Sequence, residues 1–295
     1  MNGDDLLALA KDALAHAGEA DAEIFVRARS RGVARFAIGA LGQHMQIEES
    51  GAVVRVAKGT RLAEARTSSL DRASILEALS NAARVAAIAP EVAEFPGFAS
   101  KDDAGDFVSK ENHPPRRAAS TAGAAAEDRV ALLAPALARV KKKGFTSAGV
   151  LETSAGAVAV ATTRGCERSH DDTVASYRVW ALETAGAGGA AGFGNSMHRD
   201  LDKVAIEEET DRAISRCELG KNPRALDAGT YDVVFEPAAV CELLEWLGMI
   251  AFNASEVEQG TSALAGKIGQ AVTGDLVDIR ENPVDPSDLG FGAPF

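Results

Sequence analysis

The sequence predicts an α+β fold: antiparallel sheets packed with helices in an N-terminal domain, residues 1–225, followed by the start of a mostly β C-terminal domain, residues 226–295. Three observations carry this. Apolar residues alternate over short runs, as in Ile24, Val26 and Ala28, which is the period of a half-buried strand. Several such runs follow one another with no helix between them, which makes a meander rather than an alternating β–α chain. The helices that come after the runs carry apolar stripes at helical spacing, Ile75, Leu76, Leu79, Ala83 and Ala86 being one.

In chain order, a helix from about Asp4 to Ala17 precedes a strand Glu23 to Arg29. Strands near Val33 to Ile38, Gln43 to Glu49, Ala52 to Lys58 and Arg61 to Thr67 follow, then a helix Asp71 to Ile88. Residues 89–115 contain Pro90, Pro96, Pro114 and Pro115 among scattered charges, and read as a long exposed connection. A helix from Arg116 to about Leu132 is expected next, then another with Pro135 in its first turn, where a missing N–H is no loss. It ends in Lys141, Lys142 and Lys143 before Gly144, cations that suit the negative end of a helix dipole. Strands Ala148 to Ser154, Ala157 to Thr163 and Thr173 to Leu182 form a second antiparallel group. A helix Asp200 to Leu219 closes it, with Leu201, Val204, Ala205, Ala213, Ile214 and Cys217 inward and Glu207, Glu208 and Glu209 outward.

The C-terminal part opens with Gly229-Thr-Tyr-Asp-Val-Val-Phe-Glu-Pro237, a turn, a buried strand Tyr231 to Phe235 and a stop, with Pro237 starting a helix that runs to Ala254. Val240, Leu243, Leu244, Leu247, Ile250 and Ala251 recur at helical spacing, so one face of that helix is expected to enter a core. Gly260-Thr-Ser and Ala265-Gly-Lys-Ile-Gly-Gln make a glycine-punctuated connection, and a further strand lies near Leu276 to Arg280.

Composition narrows the function classes. A net charge of −12 leaves no excess of Lys and Arg to replace counterions along phosphates, which argues against nucleic-acid binding. No run approaches the ~18 apolar residues of a membrane span, and the start Met-Asn-Gly-Asp-Asp has no basic region before an apolar one. No membrane association is expected, and the localisation read from these features is cytoplasmic. The three cysteines, Cys166, Cys217 and Cys241, are too far apart and too few for a disulfide framework or a CxxC zinc knuckle, and are expected as small buried hydrophobes.

Histidine gives no ligand motif. His16, His44 and His113 fall where surface residues are expected. His170 and His198 flank the strand Thr173 to Leu182 and the glycine run Gly186 to Asn195, and could contact a peptide carboxylate, but their spacing fits no helical or hairpin metal motif. The glycine run fails the G-x-G-x-x-G spacing, and Gly266-Lys267-Ile268 lacks the hydroxyl of a Walker loop, so no nucleotide site is read there. Gly186 to Gly194 instead suggests a mobile loop on a sheet rim, a lid or partner contact.

Three segments together resemble the TldD/PmbA family, known as modulators of DNA gyrase and as peptidases with paired subunits. They are Gly51-Ala-Val-Val-Arg-Val with Thr67-Ser-Ser-Leu-Asp71, Thr153-Ser-Ala-Gly156 with Thr162-Thr163, and the block Gly229 to Gln270. Glu152-Thr153 stands where the family pattern has an Asn. In the zinc-bearing, TldD-like branch the helix after the Gly-x-Tyr-x-Val strand carries His-Glu-x-x-x-His, two imidazoles one turn apart with a carboxylate to activate water. The corresponding helix here, Pro237 to Ala254, has no histidine. The resemblance is therefore to the PmbA/TldE-like branch, and Cys241, Glu242 and Glu245 mark a degenerate metal-site helix. Cys241 and Glu245 face one way and Glu242 turns aside.

What the resemblance implies is a non-catalytic subunit of a cytoplasmic proteolytic complex acting on unfolded peptides. It would have no cofactor of its own, and zinc would be held only by a TldD-like partner. Gly260, Ser262 and Lys267 are the interface candidates for that partner or for self-association. The alternative is a stand-alone metallopeptidase or other hydrolase with unrecognised ligands. Family members continue past the point where this chain stops, and Asp288 to Phe295 resembles an interruption within the C-terminal domain, so a truncated product is expected.

Overall fold

The computed structural model describes residues 1–104, 116–184 and 189–281. His113, Gly186 and the segment Asp288 to Phe295 lie outside them. Two compact units are formed, Met1–Pro223 and a second beginning at Arg224.

The first unit is a six-stranded antiparallel sheet with helices. Its strands are β1 (Asp21–Ala37), β2 (Ala40–Lys58), β3 (Arg61–Thr67), β4 (Thr146–Thr162), β5 (Glu167–Leu182) and β6 (Ala191–His198), in the order β3-β2-β1-β4-β5-β6. The helices are α1 (Gly3–Leu14), α2 (Arg72–Ala86), α3 (Ala119–Ala122), α4 (Ala126–Lys142) and α5 (Ile206–Leu219). An α+β fold with antiparallel pairing results.

Helix α1 starts on a reciprocal cap: the Asn2 side chain accepts from the Asp5 N–H at 2.8 Å, and Asp5 accepts from the Asn2 N–H at 3.0 Å. Helix α2 begins after Asp71, whose carboxylate accepts from the Ser74 N–H and hydroxyl and is held at about 2 chiefly by hydrogen bonds from Ser69 and Ser74.

Five strands were expected where two long ones and a short one form. β1 runs unbroken through Ser30, Arg31 and Gly32, β2 through Glu48 to Gly51, and β4 through Ser154 to Gly156. The reason is a core in two parts on one face of the sheet. One cluster packs α1 and α2 on Ile24, Val26, Val54, Val56 and Ala159; the other packs α4 and α5 on Phe36, Leu151, Tyr177 and Val179. Between them the same face carries Ser30, Gly32, Gln46, Glu48 and Thr153, aligned across β2, β1 and β4. Apolar alternation lapses over that polar band while the hydrogen-bond ladder continues.

Three further expectations are corrected. The helix from Arg116 to Leu132 is instead the single turn α3, ending at Gly123, and α4, which continues through Pro135 rather than starting there. Asp128 accepts from the Ala125 N–H at 2.8 Å and opens α4, while buried Leu133, Ala136 and Val140 on both sides of the proline hold it together. The glycine run is not a loop from residue 191 onward, because β6 includes Gly192 and Gly194. A Cβ on Gly192 would lie 1.9 Å from the Ala213 carbonyl oxygen, and one on Gly194 2.1 Å from that of Glu209. These glycines let α5 rest directly on the edge strand. Glu209 also lies inward rather than outward, accepting from the Asn195 N–H at 3.1 Å.

The second unit contains α6 (Pro237–Ile250) and α7 (Ala254–Glu258), and no strand among its described residues. Tyr231 to Phe235 and Leu276 to Arg280 are extended or turning backbone without ladder bonds, with Val234 95% exposed. A strand exists through its neighbour, and none is offered to either segment among the described residues. No helix among them is long and apolar enough to cross a membrane.

Candidate functional site

Pro237 occupies the first turn of α6, which follows the Gly229 to Glu236 segment directly. Successive side chains on a helix turn by about 100°, so Cys241 and Glu245 share a side one turn apart and Glu242 is displaced from them. All three are exposed, and Cys241 is a free thiol rather than a buried one. Cys166 and Cys217 are the buried pair, and burial raises both thiols above their usual range. The apolar residues of α6 do not enter a core: Val240, Leu243, Leu244, Leu247 and Ile250 are all exposed, and only Ala251, just after the helix, is buried. Trp246, 57% exposed, and Met249 lie on the remaining sides. A helix with so broad an apolar face normally packs that face inside protein, so this one presents surface that water disfavours.

The turn beyond α6 is well tied. Asn253 accepts from the Ser255 N–H at 3.0 Å to start α7, and Gly260 ends it at a φ of 74°, a left-handed value that suits glycine. Ser262 is turned inward. Its hydroxyl donates to the Ala251 carbonyl at 2.8 Å and accepts from the Leu264 N–H at 3.0 Å, so it locks the end of α6 to the turn rather than facing outward. Gly260 and Lys267 are exposed.

The two sheet histidines are in strands, not loops, and are not brought together. His170 is in β5 on the side away from the helices, opposite Val158, whereas His198 ends β6 opposite Ala175. Five residues of strand, roughly 16 Å, and the thickness of the sheet separate them. Burial, and then the neighbouring Arg116, lower the His170 pKa below the usual imidazole range. His198 accepts from the Asp200 N–H at Nδ1, 2.9 Å, and shapes the turn after β6. Gly194 serves helix packing, as above.

One buried cluster went unread in the sequence. Arg129 of α4 is 1% exposed and lies over Gly32 of β1, where a Cβ would come within 2.3 Å of the guanidinium carbon. Its Nη1 donates to the Thr153 hydroxyl at 2.7 Å and the Ala124 carbonyl at 3.0 Å, and its Nη2 donates to His44 Nε2 at 3.0 Å. Arginine cannot accept, so His44 carries its ring proton on Nδ1. Burial lowers the Arg129 pKa. A signal was present: Arg129, Leu133, Ala136 and Val140 fall on one helical stripe, which makes Arg129 an inward residue.

On the opposite face, Arg29 and Asp172 pair at 3.2 Å across Gly156, whose missing Cβ would lie 2.9 Å from Arg29 Nε. The Thr153 to Gly156 segment thus supplies the hydroxyl that holds Arg129 on one side of the sheet and the gap for this ion pair on the other. Among the described residues, no group of three or more His, Cys, Asp or Glu could hold a metal.

A search of curated proteins finds no match. The sequence model of the PmbA/TldA metallopeptidase C-terminal domain matches residues 228–295, the part that contains α6 and its glycine-rich turn. Residues 228–295 therefore carry a C-terminal domain of the PmbA/TldA type.

Solved structures give the same fold. A protein named as a modulator of DNA gyrase from Thermotoga maritima is similar at TM-score 0.71 and 18% identity, over 90% of this chain and 58% of its own. TldE from Thermococcus kodakarensis is similar at TM-score 0.70 and 18% identity, over 90% and 58%. A protein named as a modulator of DNA gyrase from Bacteroides thetaiotaomicron gives 0.69 and 16%, over 92% and 62%. The chain therefore spans about 60% of the length of these structures. The match places α6 (Pro237–Ile250) within that C-terminal domain.

Proposed function

We propose that this TldD/PmbA-family chain is a non-catalytic, PmbA/TldE-like subunit of a cytoplasmic proteolytic complex acting on unfolded peptides, with zinc held by a TldD-like partner. The observation that carries this is the donor set of α6. A catalytic zinc takes three protein ligands and leaves a fourth position for water, most often using neutral imidazoles. Helix α6 offers one thiol and one carboxylate on a shared side, no imidazole, and no third donor among the described residues. These residues do not fit a catalytic zinc, and no hydrolytic step is assigned to them. The exposed apolar surface of α6 supports association with another subunit, since an obligate interface is where such a helix is covered.

Metal analysis after dialysis against a weak chelator, together with casein digestion, tests this reading. The expected result is no stoichiometric zinc and no cleavage by the chain alone, with cleavage restored on adding a TldD-like subunit. One tightly held zinc with chelator-sensitive cleavage by the isolated chain would replace the proposal with a stand-alone metallopeptidase.

A further inference from the structure

The two core clusters lie on one face of the sheet, and strand alternation puts the other set of side chains on the opposite face. The central strand β1 places Arg27, Arg29, Arg31 and Arg35 there, in a chain whose net charge is −12. Arg29 is paired with Asp172, and Arg31 with Glu152 at 3.5 Å. Arg35 and Arg178 are exposed and have no ion pair among the described residues. They are aligned across one strand, both opposite Val150, so their backbones stand about 10 Å apart, two inter-strand spacings. Beside Arg178, Trp180 and Phe193 touch ring to ring at 4.8 Å with Trp180 37% exposed, and Met197 is 43% exposed.

Unpaired arginine next to exposed Trp and Met is the composition of an interface centre rather than of ordinary surface. We propose that this end of the sheet face opposite the two core clusters, built by Arg35, Arg178, Trp180 and Met197, docks an acidic polypeptide segment that carries an apolar side chain beside its carboxylates. Charge complementarity selects the occupant. In an extended segment, carboxylates at alternate positions lie about 7 Å apart on one side, within reach of two long guanidinium side chains about 10 Å apart. The inference does not depend on whether the chain lacks catalysis.

Fluorescence anisotropy on the full chain at low salt is the test, with a short labelled peptide that carries glutamates at two alternate positions and leucine at the next alternate one, so that all three share a side, and its counterpart with lysine for glutamate as the lysine–leucine control. The expected result is saturable binding, weakened about tenfold or more by R35E with R178E and by W180A, as truncated interface anchors are. R35K with R178K should keep most of it, and the lysine–leucine peptide should not bind. Unchanged affinity in the reversal variant, whose melting curve monitors its fold, overturns the proposal. So does tighter, arginine-dependent binding of an oligonucleotide or of anionic vesicles, which would assign the face to another ligand class. A concentration-dependent dimer that R35E with R178E dissolves, without peptide binding, would assign it to a second copy of the chain.

Discussion

Substituting Gly194 by alanine tests the contact that converts the glycine run from a loop into a strand. The new Cβ would lie 2.1 Å from the Glu209 carbonyl oxygen and 2.9 Å from its carbon, well inside van der Waals contact. Both are backbone atoms of α5, so no side chain can swing aside. The helix must lift by about 1 Å from β6, loosening Ile206, Ala213, Ile214 and Cys217, all buried, and the Tyr177–Thr210 hydrogen bond of 2.8 Å. Overpacking of this kind costs about 3 kcal/mol, the upper part of its usual range. For a unit of this size 1 kcal/mol moves the midpoint by about 2–4 °C, so melting followed by circular dichroism should fall by about 6–12 °C. Gly42→Ala is the control: nothing lies within 4 Å of its new Cβ, and a shift under about 2 °C is expected. If Gly194→Ala melts with Gly42→Ala, close approach of α5 is not what requires glycine there.

Arg129→Met should cost about 3 kcal/mol in denaturant unfolding, because the buried Thr153 hydroxyl and the half-buried Ala124 carbonyl lose a charged donor. Arg129→Lys should recover only part of this, since one ammonium cannot span His44 and Thr153 as the guanidinium fork does. Burial raises the Tyr177 phenol from 10.0 to about 12. The unfolded chain gives up that proton first, so the contribution, about 2–3 kcal/mol, is complete below pH 10 and fades between pH 10 and about 12. Tyr177→Phe should abolish the late-ionising component of a titration at about 295 nm, the phenolate absorption. Amides of α6 should exchange faster than those of β1 and β4, because no residue of α6 is buried, unless a partner subunit is added. Equal protection in the isolated chain would count against the unsupported helix.

The sheet was legible wherever one face met apolar side chains throughout, which is why β3 and the second half of β5 stand where alternation puts them. It was illegible across Ser30 to Gly32 and Ser154 to Gly156, where β1 and β4 pass between two core clusters and the helix-facing residues turn small or polar. Periodicity reports what covers a strand, whereas the ladder needs only a neighbouring backbone. The same distinction explains Gly192 and Gly194. Glycine suggests a loop through its freedom, yet here its use is the absence of a side chain under a helix. The strands at Tyr231 and Leu276 failed in the opposite sense: β-branched and apolar residues express a preference, and without a neighbour the preference forms no sheet.

The candidate site was legible in one respect, because an absence can be read from sequence. Helix α6 has no histidine, and no folding can supply an imidazole that the segment lacks. Its apolar periodicity was also plain, but the inference from periodicity to burial assumes that the covering surface belongs to the same chain. The exposed Leu243, Trp246 and Met249 show where that assumption fails. Arg129 fails it differently. Its position on the Leu133 stripe is a statement about direction, and direction alone put a cation inward, where Gly32 leaves room and Thr153 and His44 supply partners from two strands distant in sequence. The partners make the arginine tolerable, and only the strand order β2-β1-β4 brings them together. For α6, functional inference therefore rests more safely on the side chains the helix lacks than on where its apolar face goes.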